Sequence, residues 1–253
     1  MPPDQVMAIR EKELLQAVQA HLQKDAHSPY VNELLGKELK GYDVYLWGGA
    51  VRDPLVNQLY NKDIHTTDFD LLVDDSKKEF PLSRLMAGLE GMVINSFGSP
   101  KWKPKPDIEI DIVPFSNAMM IRNKETEENS IGTMLKSCEF NTGAIAYLLN
   151  NPAIYSYGAI EAIRKKEVEI GYIKGASIAM LMSRLVLQPE KLGFTIGEKA
   201  RKFIAERYSR ALDQRIKAYL DYKQLGENYE HVVKSLRELQ KKELSKSPES
   251  FRH

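Results

Sequence analysis

The chain has 253 residues, with 36 lysines and arginines against 35 aspartates and glutamates. This length can bury the core of one large domain or two smaller ones, and the balanced charge gives no overall field that favours nucleic acid. The single cysteine, Cys138, excludes an intramolecular disulfide and a cysteine-based zinc site. No signal peptide and no run of about 18 apolar residues can be found, so we expect a soluble cytoplasmic protein without a membrane partner.

The first 40 residues predict helices. Residues 4–24 carry apolar side chains at roughly helical spacing, with Asp4 as a candidate cap, and residues 30–39 predict a second helix. We expect residues 1–40 to be a helical extension that packs on the next domain and has no chemistry of its own. His21 and His27 lie here without a cluster of partners, which is typical of histidines at a helix surface or end.

A glycine pair then separates a strand from a helix. Residues 44–47 (VYLW) predict a strand, and residues 50–60 carry apolar residues on one helical face. Gly48 and Gly49 lie at the junction, where unpaired backbone N–H groups and the positive helix end favour an anion. Because glycine has no side chain, a phosphate can approach closely, so the junction indicates a triphosphate site.

Two aspartates follow on the next predicted strand, residues 68–73 (DFDLLV). Side chains alternate along a strand, so Asp68 and Asp70 are expected on the same face. Two neighbouring carboxylates repel each other unless a cation lies between them, which favours a Mg²⁺ site. The D-x-D tripeptide alone is more typical of a solvated strand edge or turn, and the preceding glycine pair is what favours the metal.

Beyond this strand, residues 82–89 predict a helix and residues 93–97 a strand. The lysine-rich and proline-rich segment around Gly98 reads either as a solvated hairpin loop or as a nucleic-acid contact, with Trp102 stacking between Lys101 and Lys103. Residues 108–115 (IEIDIVPF) alternate cleanly, so Glu109 and Asp111 share one face of a strand. Asp111 thus supplies a third carboxylate, with Glu109 as a spare ligand.

The remaining residues predict a polar loop over 117–129, a helix over 131–136 and a cover for the site over 138–147. From Ala159 onward the pattern is helical, with helices over 197–212, 213–222 and 229–244, and we place a domain boundary near Tyr155. Basic residues of the last part are typical of a solvated helix face, or alternatively of a stripe that contacts the phosphates of an acceptor. The candidates for this stripe are Lys199, Arg201, Lys202, Arg207 and Arg210.

These motifs together resemble a known family. WGGAVRD followed by DFD and IDIVPF is similar to the catalytic head of class II tRNA CCA-adding enzymes and bacterial poly(A) polymerases, within the DNA polymerase β nucleotidyltransferase superfamily. Phe97-Gly98-Ser99 resembles the family's FGT turn, whereas Ser116 replaces an arginine of its third carboxylate strand. The likeness spans residues 41 to 196. The matched positions of the GGxVRD and DxD signatures are Gly48, Gly49, Val51, Arg52, Asp53, Asp68 and Asp70.

The resemblance implies an α+β fold: a polymerase-β-like nucleotidyltransferase head with a small mixed sheet flanked by helices, then an all-helical neck-like domain. The domains would be the extension 1–40, the head 41–154 and the neck-like part 155–253. It implies a metal-dependent enzyme that transfers a nucleoside monophosphate from an NTP, ATP and/or CTP, to an RNA 3′-hydroxyl and releases pyrophosphate. Asp68, Asp70 and Asp111 would be the catalytic ligands of Mg²⁺ or Mn²⁺, while Gly48, Gly49, Arg52 and Asp53 would bind the nucleotide.

Several features leave alternatives open. Arg52 and Asp53 could instead form a local ion pair that ties the helix to the sheet. SCEFNTGAIA resembles the family's RRDFTINAL but lacks both arginines, with Glu139 at the position of the acid. No base-selecting EDxxR element can be read in the neck-like part, where Arg184 is the basic candidate. A nucleotidyltransferase that acts on a protein or small-molecule hydroxyl, or an inactive nucleotide-binding or RNA-binding relative, therefore remains an alternative.

Overall fold

The computed structural model describes residues 7–9, 11–66, 69–95 and 98–246. Packing divides the chain into two compact units, one of residues 1–138 with 142–163 and one of residues 139–141 with 164–253. The domain bounds expected from the sequence, at residues 40 and 154, stay a prediction. Each unit is described by itself.

The first unit is built on one eight-stranded sheet in the order β1-β8-β7-β2-β3-β6-β5-β4. β3 and β6 are parallel, and the other neighbours are antiparallel. This mixed sheet with flanking helices confirms the predicted α+β fold. The strands are β1 Met7–Ile9, β2 Val44–Trp47, β3 Phe69–Val73, β4 Met92–Ile94, β5 Pro100–Lys105, β6 Ile108–Pro114, β7 Ile145–Leu148 and β8 Ala153–Ser156.

Helices cover both faces of this sheet. On one face the ring of His27, which precedes α2, stacks on Phe69 of β3 with centroids 4.5 Å apart. On the other face Tyr45 and Leu72 pack in one buried cluster with Met134 and Leu135 of α6. The helices of this unit are α1 Lys12–Lys24, α2 Ser28–Gly36, α3 Gly49–Tyr60, α4 Leu82–Gly88, α5 Met119–Arg122, α6 Ile131–Lys136 and α7 Ala159–Lys165, the last of which runs into the second unit.

The beginning of the chain differs from the prediction. The first helix starts at Lys12 rather than near residue 4, because residues 7–9 form β1 and pair with Ile154 to Ser156 of β8. A strand of three residues is too short to show the two-residue alternation that sequence patterns require. The predicted cap, Asp4, lies outside the described residues.

Strands are also found where other structure was predicted. The segment around Trp102 is β5 and not a hairpin loop, and the indole N–H of Trp102 donates to the Glu90 carbonyl oxygen at 2.9 Å. Trp102 is buried, so the alternative in which its ring stacks on nucleic acid is wrong. Residues 145–148 form β7 beside β2, and residues 153–156 form β8 beside β7, so this segment belongs to the sheet instead of covering the site. The expected polar loop contains the short helix α5.

The two N-terminal histidines lie inside the first unit. His27 is buried, and its Nδ1 lies 2.8 Å from Asp25 Oδ1. His21 lies with its ring centroid 6.3 Å from that of Phe69 and its Nε2 3.5 Å from Asp25 Oδ2. Burial lowers the pKa of His21, and the nearby carboxylates of Asp25 and Asp53 oppose this shift without cancelling it. Both histidines lie at helix ends, as expected, because His21 is in the last turn of α1 and His27 is the N-cap residue of α2, although His27 is buried and not on the surface.

The lowered pKa of His21 predicts a loss of stability in acid. The unfolded chain takes up a proton near pH 6.5, whereas the folded protein does so only at a lower pH. Stability from this group is therefore fully present above pH 6.5 and is lost as the pH falls from that value through the lower pKa of the folded protein. We expect His21→Gln to flatten the decline of the melting temperature between pH 7.5 and 5.5, measured in buffers of equal ionic strength. His65→Gln, at an exposed loop residue, is the control, and equal profiles for His21→Gln and the wild type would contradict the assignment.

The second unit is largely helical, as predicted. A two-stranded parallel ladder, in which Glu167 pairs with Thr195 and Val168 with Ile196, adds a short β element to the expected helices. Its elements after α7 are β9 Glu167–Val168, α8 Ile178–Leu192, β10 Thr195–Ile196, α9 Glu198–Arg207, α10 Asp213–Tyr222 and α11 Tyr229–Leu244.

Candidate active site

The predicted strand, glycine pair and helix are confirmed as β2, Gly48 and α3. Gly48 has φ 64° and ψ −123°, a conformation that residues with a side chain rarely adopt, so glycine is required for the chain to turn from the strand into the helix. The Gly48 N–H donates to the Ile145 carbonyl oxygen of β7 at 3.0 Å. That group is therefore already used, which corrects the expectation that both glycines offer an N–H to a phosphate.

The start of α3 keeps other N–H groups for an anion. Gly49 and Ala50 occupy the first two helical positions, and no acceptor among the described residues takes their N–H groups. Gly49 also packs closely, since a Cβ there would lie 3.4 Å from Arg52 Nη2. The anion site predicted at the glycine pair thus centres on the first turn of α3.

Arg52 and Asp53 form a buried ion pair within this helix. Arg52 Nε donates to Asp53 Oδ1 at 2.7 Å, and Nη2 lies 2.6 Å from the same oxygen. The Asp53 side chain is fully buried and the Arg52 side chain is 8% exposed, while Thr66 Oγ1 lies 3.4 Å from Asp53 Oδ2. The ion pair expected as one alternative is therefore present, and the binding of a nucleotide by either residue stays a proposal.

The predicted carboxylates meet on one face of the sheet. Asp70 of β3 lies directly opposite Asp111 of β6 in the parallel register, and directly opposite residues on neighbouring strands point to the same face. Both side chains are partly exposed. The residues opposite one another form a row across the sheet, which reads Ala8, Tyr155, Ala146, Trp47, Asp70, Asp111, Lys101 and Val93.

The third predicted ligand, Asp68, lies outside the described residues. Within the described ranges no group of three histidine, cysteine, aspartate or glutamate side chains could hold a metal ion. The donors that are described, the carboxylate oxygens of Asp70 and Asp111 on adjacent strands, have the chemistry that Mg²⁺ and Mn²⁺ prefer. The residues therefore fit a divalent cation, with Asp68 as the proposed third ligand.

Two residues that the sequence did not connect with Asp111 hold it in place. Asn95 Nδ2 donates to Asp111 Oδ1 at 3.1 Å, and its own Oδ1 accepts the Ser99 N–H at 3.0 Å. Lys101 Nζ lies 3.3 Å from Asp111 Oδ2 and also donates to Glu109 Oε1. Both oxygens of Asp111 thus have a donor from the chain, and the turn before β5, which contains Gly98 and Ser99, is tied to the site through Asn95.

The charges around Asp111 shift the titration of their neighbours. Burial lowers the pKa of Lys101, but the carboxylates of Glu109 and Asp111 outweigh it and the net pKa is raised. Burial raises the pKa of Glu109, but Lys101 and Lys103 outweigh it and the net pKa is lowered. Glu109, expected as a spare metal ligand, is therefore engaged by two lysines on β5.

The second unit has its own charged contacts. Arg184 of α8 lies with its guanidinium carbon 5.3 Å from the centre of the Phe140 ring and its Nη1 3.9 Å from Glu139 Oε2. In the proposed basic stripe, Lys202 pairs with Glu198 at 2.7 Å and Arg201 with Glu243 at 3.5 Å. These pairs are typical of a solvated helix face, and the contact of the stripe with acceptor phosphates stays a prediction.

None of the helices in the described part of the chain combines the length and the apolar character that crossing a bilayer would require. No protein-family model matches the sequence, and no curated protein does.

Solved structures, in contrast, share the fold. A CCA-adding enzyme in complex with CTP matches over 90% of this chain with a TM-score of 0.61 and 17% identity. The CCA-adding enzyme of Thermotoga maritima complexed with tRNA matches over 80% with a TM-score of 0.53 and 20% identity. A tRNA nucleotidyltransferase complexed with a primer tRNA and an incoming ATP analog matches over 88% with a TM-score of 0.52 and 17% identity.

The match covers 55%, 50% and 64% of these three structures, so this chain spans only part of their length. The likeness confirms the fold implied by the sequence motifs. At these identities it shows the fold alone.

Proposed function

We propose that the protein is a divalent-metal-dependent nucleotidyltransferase that transfers a nucleoside monophosphate from an NTP to an RNA 3′-hydroxyl. The observation that carries this proposal is the pairing of Asp70 with Asp111 on adjacent parallel strands, in the same sheet as the glycine-led start of α3. Solved structures with this fold include enzymes complexed with CTP, with an ATP analog and with tRNA, which supports an NTP and RNA as the partners.

Each part of the site has a role in this reaction. The N–H groups of Gly49 and Ala50 would bind the triphosphate, and Arg52 would offset part of its charge. Asp70 and Asp111, with Asp68, would hold Mg²⁺ or Mn²⁺, which stabilises charge on the phosphates and lowers the pKa of the acceptor hydroxyl. The hydroxyl oxygen forms a bond to the α-phosphorus, the bond between that phosphorus and the α,β-bridging oxygen breaks, pyrophosphate leaves and the hydroxyl proton passes to solvent.

Asn95 would act as a positioning residue for Asp111. The amide of Asn95 is fixed by the Ser99 N–H, so it holds one oxygen of Asp111 at a set place on the sheet. A carboxylate whose direction is fixed in this way loses less conformational entropy when it binds a cation or a substrate.

The proposal is tested by incubating the purified protein with each of the four α-labelled NTPs in Mg²⁺. One reaction contains total RNA and a second contains a protein extract. We expect labelled RNA and released pyrophosphate with at least one NTP. Label in protein alone would replace RNA by a protein hydroxyl as the acceptor, and no labelled product with any acceptor would overturn the proposal.

A further inference from the structure

Lys101 occupies a position between two carboxylates that the proposed reaction does not explain. In the antiparallel register of β5 and β6 it lies directly opposite Asp111, on the face that also carries Asp70 and Glu109. Its Nζ lies 3.3 Å from Asp111 Oδ2 and donates to Glu109, and its side chain is only 21% exposed. A single ammonium group thus bridges two carboxylates beside a third.

The electrostatics of this face favour a cation. Asp70, Glu109 and Asp111 place negative charges on two adjacent strands, and in a partly buried place such charges repel each other strongly. Lys101 supplies one positive charge at this place, but a divalent cation supplies two and takes several carboxylate oxygens at once. The ammonium and the divalent cation therefore compete for the same oxygens of Asp111.

We propose that Lys101 is the internal counter-ion of the carboxylate site in the metal-free protein and that it leaves Asp111 when a divalent cation binds. Glu109 lies on the same face of β6 as Asp111 and continues to hold the Lys101 ammonium after this exchange. Lys101 would thereby stabilise the metal-free protein and set the metal concentration at which the site fills. This inference rests on the proposed function, because it takes Asp111 as a ligand.

Lys103 offers a matched control on the same strand. It pairs with Glu109 Oε2 at 2.7 Å, its side chain is 50% exposed, and this ion pair does not involve Asp111. Removing Lys103 takes away the same charge from the same strand. A difference between the two variants therefore reports on the contact with Asp111 and not on net charge.

The test measures Mn²⁺ binding by titration calorimetry and thermal unfolding in EDTA, at constant pH and low salt. We expect Lys101→Met to bind Mn²⁺ about fivefold or more tightly than the wild type, because a competing charge has been removed. Without metal it should melt several degrees lower, and this deficit should shrink in about 0.5 M salt, which screens the carboxylates. Lys103→Met should change both quantities by less than half as much.

Lys101→Arg gives a second reading if the methionine variant does not fold. Its guanidinium keeps the charge and holds a carboxylate through two hydrogen bonds, so Mn²⁺ should bind more weakly than to the wild type. Equal or weaker Mn²⁺ binding by Lys101→Met, equal effects of the two methionine variants, or tighter binding by Lys101→Arg would overturn the inference while metal binding by the wild type still stands. No Mn²⁺ binding by the wild type would instead overturn the proposed function, and with it this inference.

Discussion

Replacing Asp111 by asparagine should lower nucleotide incorporation by about a thousandfold or more, because one of the three proposed metal ligands loses its charge. Asparagine keeps the volume of the side chain and can still accept the hydrogen bond from Asn95. Lys101 retains Glu109 as a partner, so the fold should be maintained. Single-turnover incorporation of the labelled NTP identified in the screen, at saturating substrate, measures the effect. Asp70→Asn should cause a loss of similar size, since Asp70 lies opposite Asp111 in the sheet.

Glu109→Gln is the control for this prediction. Glu109 lies on the same face two residues from Asp111, but both of its oxygens are engaged by lysines of β5. It should therefore retain activity within about tenfold of the wild type, because it is not needed as a ligand. Melting curves of all three variants establish that each is folded. Activity of Asp111→Asn within tenfold of the wild type, in a folded protein, would contradict the proposed role of the carboxylate pair.

Local patterns were sufficient to predict the elements that carry the site. The apolar run before Gly48 and the alternation of residues 108–114 each define a strand without knowledge of the rest of the chain. Since side chains alternate, the pattern also placed Glu109 and Asp111 on one face. That Asp70 and Asp111 would meet followed from the family likeness, and the parallel register of β3 and β6 brings them together.

Other elements could not be predicted because their local patterns are ambiguous. Residues 145–148 are all buried, and a short apolar run is equally compatible with a strand and with a buried helical segment. In β5 the two prolines and three lysines are typical of a loop, yet the buried Trp102 alternates with Lys101 and Lys103 as a strand requires. Prolines are tolerated in strands where the backbone N–H is not needed.

The partners of Asp111 depend on contacts between distant segments. Lys101 reaches Asp111 only through the register of β5 and β6, and Asn95 reaches it through the turn that precedes β5. Neither residue belongs to the motifs that matched the family. The alternation of Lys101 with the apolar Trp102 was the one signal available in the sequence. It indicates the strand face on which Lys101 lies, but it does not identify Asp111 as the residue opposite on β6.

The second large effect is expected at the ion pair of α3. Asp53→Leu should lower the free energy of unfolding by about 3–5 kcal/mol, because it leaves the charge of Arg52 buried without its partner. Arg52→Met should have a similar cost, since the Asp53 carboxylate is fully buried. The double variant Arg52→Met/Asp53→Leu removes both charges and should lose less than the sum of the two single variants. Denaturant unfolding of the four proteins gives the coupling energy of the pair.

The same double variant separates the two roles proposed for Arg52. If Arg52 offsets charge on the triphosphate, the folded double variant should bind the NTP at least about tenfold more weakly, since a charge-assisted contact to phosphate contributes more than about 1.4 kcal/mol. If the pair only stabilises α3, the folded double variant should bind the NTP as tightly as the wild type does. We expect the first result, because Arg52 Nη2 lies next to the start of α3. A Cβ added to Gly49 would be 3.4 Å from this nitrogen. Arg237→Met, which breaks an exposed pair with Asp213 in the second unit, controls for the loss of an arginine and should change neither quantity appreciably. If the double variant loses as much stability as the two single variants together, the coupling is contradicted. If it binds the NTP as tightly as the wild type, the nucleotide contact is contradicted.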